Sequence, residues 1–113
     1  MGVVEEHESP RTCCQREVQE ELGLLVEIGR LLVVEYTDET AEKTESLMFV
    51  FAGKELLPAE IDQIQLPANE LDRVEFFRPS QLPNEMTGTL KNRVLAAWER
   101  LQENQDVYME NGI

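Results

Sequence analysis

The stretch SPRTCCQREVQEELG, Ser9 to Gly23, constrains this chain more than any other, because it carries its own start and its own stop. Ser9 can cap a helix N-terminus, and Pro10 suits the first helical position, where its missing amide hydrogen would have no partner anyway. Gly23 supplies a left-handed stop. The reading is one helix of about Pro10 to Leu22. Cys14, Val18 and Leu22 recur at i, i+4 spacing as an apolar stripe, while Arg16, Glu17, Glu20 and Glu21 lie off its centre. One side is expected to pack, the other to meet water or chemistry.

After Gly23 the chain turns to strand character. LLVEIGRLLVVEYT is rich in Leu, Val and Ile with a break expected at Gly29, and SLMFVFAG, Ser46 to Gly53, is a second β-rich run that glycine ends. DETAEKTE between them reads as a charged loop, Lys54 to Asn69 as mostly loop, and RVEFFRP as a third short strand. A last helix of about Met86 to Gln105 would pack through Leu90, Val94 and Trp98 with Leu95 and Leu101. The tail DVYMENGI carries no clear element. There is no internal repeat and no linker, so one α/β or α+β domain spanning residues 1–113 is expected.

Charge narrows the partners. Ten basic against 23 acidic residues give a formal net charge of -13, which repels polyphosphate backbones and argues against a docked nucleic acid polymer. A small phosphate ester can still bind if divalent cations sit between carboxylate and phosphate. No apolar run reaches membrane-spanning length and no charged, apolar export signal opens the chain, so the cytoplasm is the expected location. Cys13 and Cys14 are adjacent in the helix, where a disulfide between them would be strained, and both read as reduced.

The acids of the helix are badly placed for stability alone. They crowd its last turns, where the macrodipole is negative, and Glu17 with Glu21 is a like-charge i, i+4 pair; each effect costs about 0.2 to 1 kcal/mol. Spacing of i, i+3 and i+4 directs carboxylates to one spot, and hard divalent ions want oxygen ligands. A face kept for a cation is the expectation.

The segment GVVEEHESPRTCCQREVQEELGL, Gly2 to Leu24, resembles the Nudix box: Gly2, Glu8, Arg16, Glu17, Val18, Glu20, Glu21, Gly23 and Leu24 fill its specified positions at the specified spacing. The resemblance implies a Nudix-like α/β/α sandwich on a mixed sheet, and a hydrolase that cleaves a nucleoside diphosphate linked to another moiety with Mg²⁺ or Mn²⁺. Glu20 and Glu21 would be the main metal ligands, Glu17 a third ligand or the general base, and the Gly2 carbonyl a further ligand. Arg16 would hold a carboxylate in place, with Glu17 the first choice, and Glu8 would be an auxiliary acid. Family members often carry another acid near the metals, in the loop before a strand bearing an aromatic pair. Glu70 fits that acid and Phe76 and Phe77 that strand, with Glu75 as the competitor. His7, the single histidine, reads as an exposed loop residue.

The family has strands before the box, whereas this sequence starts at Met1 against the first box glycine. The expectation is an N-terminally truncated version of the fold, through a truncated product, a start placed too late, or a sheet completed by another chain. An open sheet edge would invite a homodimer. Two functions of different class follow: a pyrophosphohydrolase acting on a small nucleotide-like diphosphate, or an inactive Nudix-like remnant that binds metal or a partner protein. ADP-ribose, an oxidised nucleoside triphosphate, a dinucleoside polyphosphate and a nucleotide sugar all stay open as substrates.

Overall fold

A computed structural model describes residues 3–67, 73–103 and 106–112. It has the expected α+β class, with helix α1 (Pro10–Leu22), strands β1 (Ile28–Thr37) and β2 (Ser46–Gly53), a short helix α2 (Pro58–Asp62), a 3₁₀ turn (Pro79–Gln81), helix α3 (Gly88–Gln102) and strand β3 (Tyr108–Glu110). Among the described residues the strands form a mixed three-stranded sheet in the order β2-β1-β3, compatible with a truncated α/β/α sandwich. No described helix is long and apolar enough to cross a membrane. The chain divides into two compact units, one of Met1–Gly29 with Gly53–Glu75 and one of Arg30–Ala52 with Phe76–Ile113.

In the first unit α1 has the ends its sequence announces. The Ser9 hydroxyl accepts from the Thr12 amide, Pro10 opens the helix, and Gly23 closes it at φ 69° with its amide on the Gln19 carbonyl. Beyond that cap the Gln65 amide donates to the Leu22 carbonyl at 2.8 Å, so the glycine lies against a crossing segment. A β-carbon there would sit 3.2 Å from the Gln65 Cβ. Cys13 is the buried residue of the helix, whereas Cys14, Val18 and Leu22 are half-buried. The packed side is thus turned slightly from the expected stripe. Leu24 and Val26, just after the cap, are buried too.

The second unit holds the sheet and its core. Leu32, Val33, Ala97 and Met109 are buried together, and Val50, Ala52 and Ala96 pack against them. In β2 burial alternates over its first half, Leu47 and Phe49 exposed and Met48 and Val50 half-buried, after which Phe51 and Ala52 are both half-buried. β3 runs parallel to β1, with Val34 opposite Tyr108, Glu35 opposite Met109 and Tyr36 opposite Glu110.

Three expectations change here. The tail read as unstructured supplies β3, because a short strand gains its stability from the strand beside it and not from its own composition. Conversely, the RVEFFRP segment forms no strand: residues 73–78 are irregular, Phe76 and Phe77 are exposed, and Arg73 pairs with Glu75 at 2.8 Å. Apolar content without a paired neighbour does not make a strand. The last helix, expected at Met86 to Gln105, spans Gly88–Gln102 and presents another face. Arg93 and Ala97 are buried, while Leu95, Trp98 and Leu101 are exposed. The cause is Glu35, wholly buried toward the C-terminal end of β1, which takes the Arg93 Nε at 2.6 Å. A buried charge needs a partner, and that need fixes the rotation of α3.

Candidate functional site

Arg16 is the centre of the helix's polar side. It projects from the middle of α1, one turn before Glu20, so a long cationic side chain can reach both the loop before the helix and the carboxylates of the later turn. Its Nε donates to Glu8 Oε2 at 2.8 Å and its Nη2 to Glu8 Oε1 at 3.0 Å, a two-pronged ion pair. Nη2 also reaches the Val3 carbonyl at 3.3 Å. Nη1 faces the other way, donating to Glu17 Oε1 at 2.9 Å and to the two oxygens of Glu20 at 3.3 and 3.4 Å. Glu5 stands 3.8 Å from the same nitrogen.

These contacts set the local electrostatics. The Arg16 guanidinium, helped by the Glu5 amide on Oε1, lowers the Glu8 carboxyl to about 2. Glu8, followed by Glu20 and Glu17, in turn raises Arg16 further above its usual value. Burial raises the Cys13 thiol, as does the Glu8 charge beside it, and burial raises Cys14 as well. Neither cysteine is therefore inclined to the thiolate form that would make it a nucleophile.

The expected site residues are thus partly gathered. Arg16, Glu17 and Glu20 meet at one guanidinium edge, with Glu21 half-buried on the next position of the same helix. Glu17 is an Arg16 partner, as the sequence suggested, but the two-pronged partner is Glu8. The signal was present, since Glu8 is itself a specified box position; what the sequence could not give was the folding back of the loop that brings it to the helix. Gly2 and Glu70 lie outside the described residues. Glu75 is occupied by Arg73. His7 sits in an exposed turn at φ 64° with its Nε2 3.3 Å from Glu6.

The donor set has the chemistry Mg²⁺ and Mn²⁺ prefer, carboxylate oxygens on one helix. Its present arrangement is not a formed cage. Among the described residues no three His, Cys, Asp or Glu side chains converge on a point where they could hold an ion. Glu17 and Glu20 are turned to Arg16 instead, and Glu20, with 58% of its side chain exposed, has room to turn away. Glu17, Glu20 and Glu21 therefore match a divalent ion in donor type and in sharing one helix, while their side chains as described do not form its cage.

A family model described as NUDIX domain matches residues 1–98. Searches of curated proteins and of solved structures found no match.

Proposed function

Since the chain belongs to the Nudix family, whose members generally act on nucleoside diphosphates linked to another moiety, we propose that it hydrolyses such a diphosphate linkage with Mg²⁺ or Mn²⁺. Glu17, Glu20 and Glu21 would hold the ion, with the Gly2 carbonyl as a further ligand. When bound, the ion neutralises phosphate oxygens and lowers the pKa of the attacking water. The observation that carries the reading is the Arg16 junction, where Glu8 from the loop before the helix and Glu17 and Glu20 from the helix itself share one guanidinium. Arg16 orients Glu17 through the 2.9 Å bond, leaving the other Glu17 oxygen for an ion or a water. Glu17 is the first candidate for general base and Glu70 the second. The strongly acidic surface, with net charge -13, suits a small diphosphate met through a metal and not a polyanion met directly.

One observation favours a second reading, an inactive member that binds metal or a partner protein: the carboxylates do not converge as described. A panel of nucleotide diphosphates, assayed for phosphate or nucleotide release with and without Mg²⁺ or Mn²⁺, separates the two. Hydrolysis only with divalent ion is the expected result. Glu17→Gln should then lower kcat by roughly 10²- to 10⁴-fold with little change in substrate affinity, the loss expected of a general base. If Glu70→Gln is the damaging change instead, the base lies in the later loop. Metal binding without turnover of any panel member would establish the inactive reading.

A further inference from the structure

We propose that Asn111 is a deamidation site held shut by the fold, so that opening of the turn after β3 converts it to aspartate or isoaspartate and the turn cannot close again as before.

Asn111 and Gly112 are the single Asn-Gly pair of the sequence. Such a pair is chemically labile, because glycine has no side chain to shield its backbone nitrogen from the asparagine before it. In the reaction the Gly112 nitrogen gives up its proton and attacks Cγ of Asn111. The new C–N bond closes a succinimide ring, and the side-chain nitrogen leaves as ammonia. Water then opens the ring at either carbonyl, giving aspartate or isoaspartate. One water is consumed for each ammonia released, and nothing is oxidised or reduced.

The structure withholds both reacting groups. The Gly112 amide donates to Oε2 of the buried Glu35 at 2.7 Å, so its proton leaves only when that bond opens. The carboxylate beside it also opposes the negative charge the nitrogen must take on. Asp38 grips the Asn111 carboxamide at both ends: Oδ1 accepts the Asp38 amide at 2.8 Å, and Nδ2 donates to Asp38 Oδ2 at 3.0 Å. Swinging Cγ over the Gly112 nitrogen breaks that double grip. The Asn111 backbone amide is fixed as well, on the Tyr36 carbonyl at 2.8 Å. Asn111 itself is exposed, so water and base reach it as soon as these bonds part.

The product does not fit what held the reactant. An aspartate at this position places an oxygen where Nδ2 now donates to Asp38, and two carboxylates then meet at hydrogen-bond distance. Isoaspartate adds a methylene to the main chain between the amide bound to Tyr36 and the amide bound to Glu35, which puts the two contacts out of register.

Peptide mapping by mass spectrometry, on the chain kept in mildly alkaline buffer, tests the site and its closure. Deamidation at Asn111 should be at least about tenfold slower in the folded wild type than in the same chain in urea, the factor that one hydrogen bond to a charged group commands. Asp38→Ala should speed it about tenfold without urea, whereas Asp38→Asn, which keeps an acceptor, should leave it near the wild-type rate. Asn111→Asp makes the product directly and should speed hydrogen exchange at the Gly112 amide; adding Asp38→Asn should restore the protection. Equal rates in the folded and unfolded wild type would overturn the closure, and an unmodified Asn111 in the unfolded chain would overturn the site; neither comparison depends on a variant. A wild-type rate in Asp38→Ala would overturn the grip of Asp38, and unchanged Gly112 exchange in Asn111→Asp would overturn the one-way character of the change.

Discussion

Two ion pairs of one chain teach opposite lessons. Arg16 and its carboxylates are neighbours in sequence and lie near water, with Glu17 and Glu20 one and four residues away. Glu35 and Arg93 are 58 residues apart and buried, and Glu35 also accepts the Gly112 amide from 77 residues away at 2.7 Å. Both of its oxygens are therefore satisfied. Asn111 completes the closure from φ 47°, its amide on the Tyr36 carbonyl and its side chain bonded to both the amide and the carboxylate of Asp38. Charges that are deeply desolvated and fully bonded hold a fold in place, but cannot be spared for a ligand. Charges that stay partly wet cost little to rearrange.

The largest effect should come from cutting the buried pair. Arg93→Ala leaves the buried Glu35 Oε1 without its partner, and should cost about 3–5 kcal/mol in denaturant unfolding. Replacing both groups, with Glu35→Leu and Arg93→Met, should recover most of that loss, because well-packed apolar side chains do about as well as a buried pair. The Gly112 amide should nonetheless exchange faster in the double variant, having lost its acceptor. A loss below about 1 kcal/mol on Arg93→Ala would mean that the contrast with the exposed pairs is one of appearance only.

A second, smaller effect tests the local side of the contrast. Gly23→Ala forces a β-carbon into a left-handed residue and places it 3.2 Å from the Gln65 Cβ, so about 1–2 kcal/mol should be lost with fraying of the last turn of α1. Thermal unfolding and amide exchange of Gln19 to Gly23 would read both. This is also where the sequence was most legible. Ser9, Pro10 and Gly23 act within a turn of the helix ends they define, and SLMFVFAG is a β-rich run closed by its own glycine, so both elements have the expected bounds. What could not be read depended on distant partners. β3 exists through its pairing to β1, and RVEFFRP lacks such pairing. The buried face of α3 follows Arg93, which an apolar count ignores. One signal was available: Glu35 interrupts the apolar run LLVVEYT at a position sharing a strand face with Val33, and a charge there demands a cation elsewhere in the chain. In the site the residue types and their helix were legible, while the grip of Glu8 on Arg16 needed the loop's return.

The acid dependence of stability sharpens the comparison from the other edge of Arg16. Glu8 titrates near 2 in the folded chain against 4.5 for an unperturbed glutamate, so the folded state binds its proton more weakly than the unfolded one. Its contribution is complete above about pH 4.5 and is lost as pH falls toward 2. Stability of the wild type should therefore drop over that window, and Glu8→Gln should flatten part of the slope and lower the plateau above it. Melting temperatures collected from pH 7 to pH 2 would show both changes. A slope unaffected by Glu8→Gln would move the acid sensitivity to another carboxylate.

The smallest effect on the fold is expected at Glu20, and there a small number is the informative one. Glu20→Gln removes an exposed contact to Arg16 worth about 0.2–1 kcal/mol and at the same time removes a negative charge from the unfavourable end of α1, worth about 0.3–1 kcal/mol. The two nearly cancel, so unfolding free energy in metal-free buffer should change by less than about 0.5 kcal/mol. If Glu20 serves the ion as proposed, Mg²⁺ affinity measured by calorimetry on the same preparation should fall sharply. Hydrolysis, at an alkaline optimum where the attacking water is more readily deprotonated, should fall with it. If Glu20→Gln instead destabilised the metal-free chain by 2 kcal/mol or so, well beyond what an exposed pair can contribute, Glu20 would belong with Glu35 among the groups the fold cannot release, and another carboxylate would have to serve the ion.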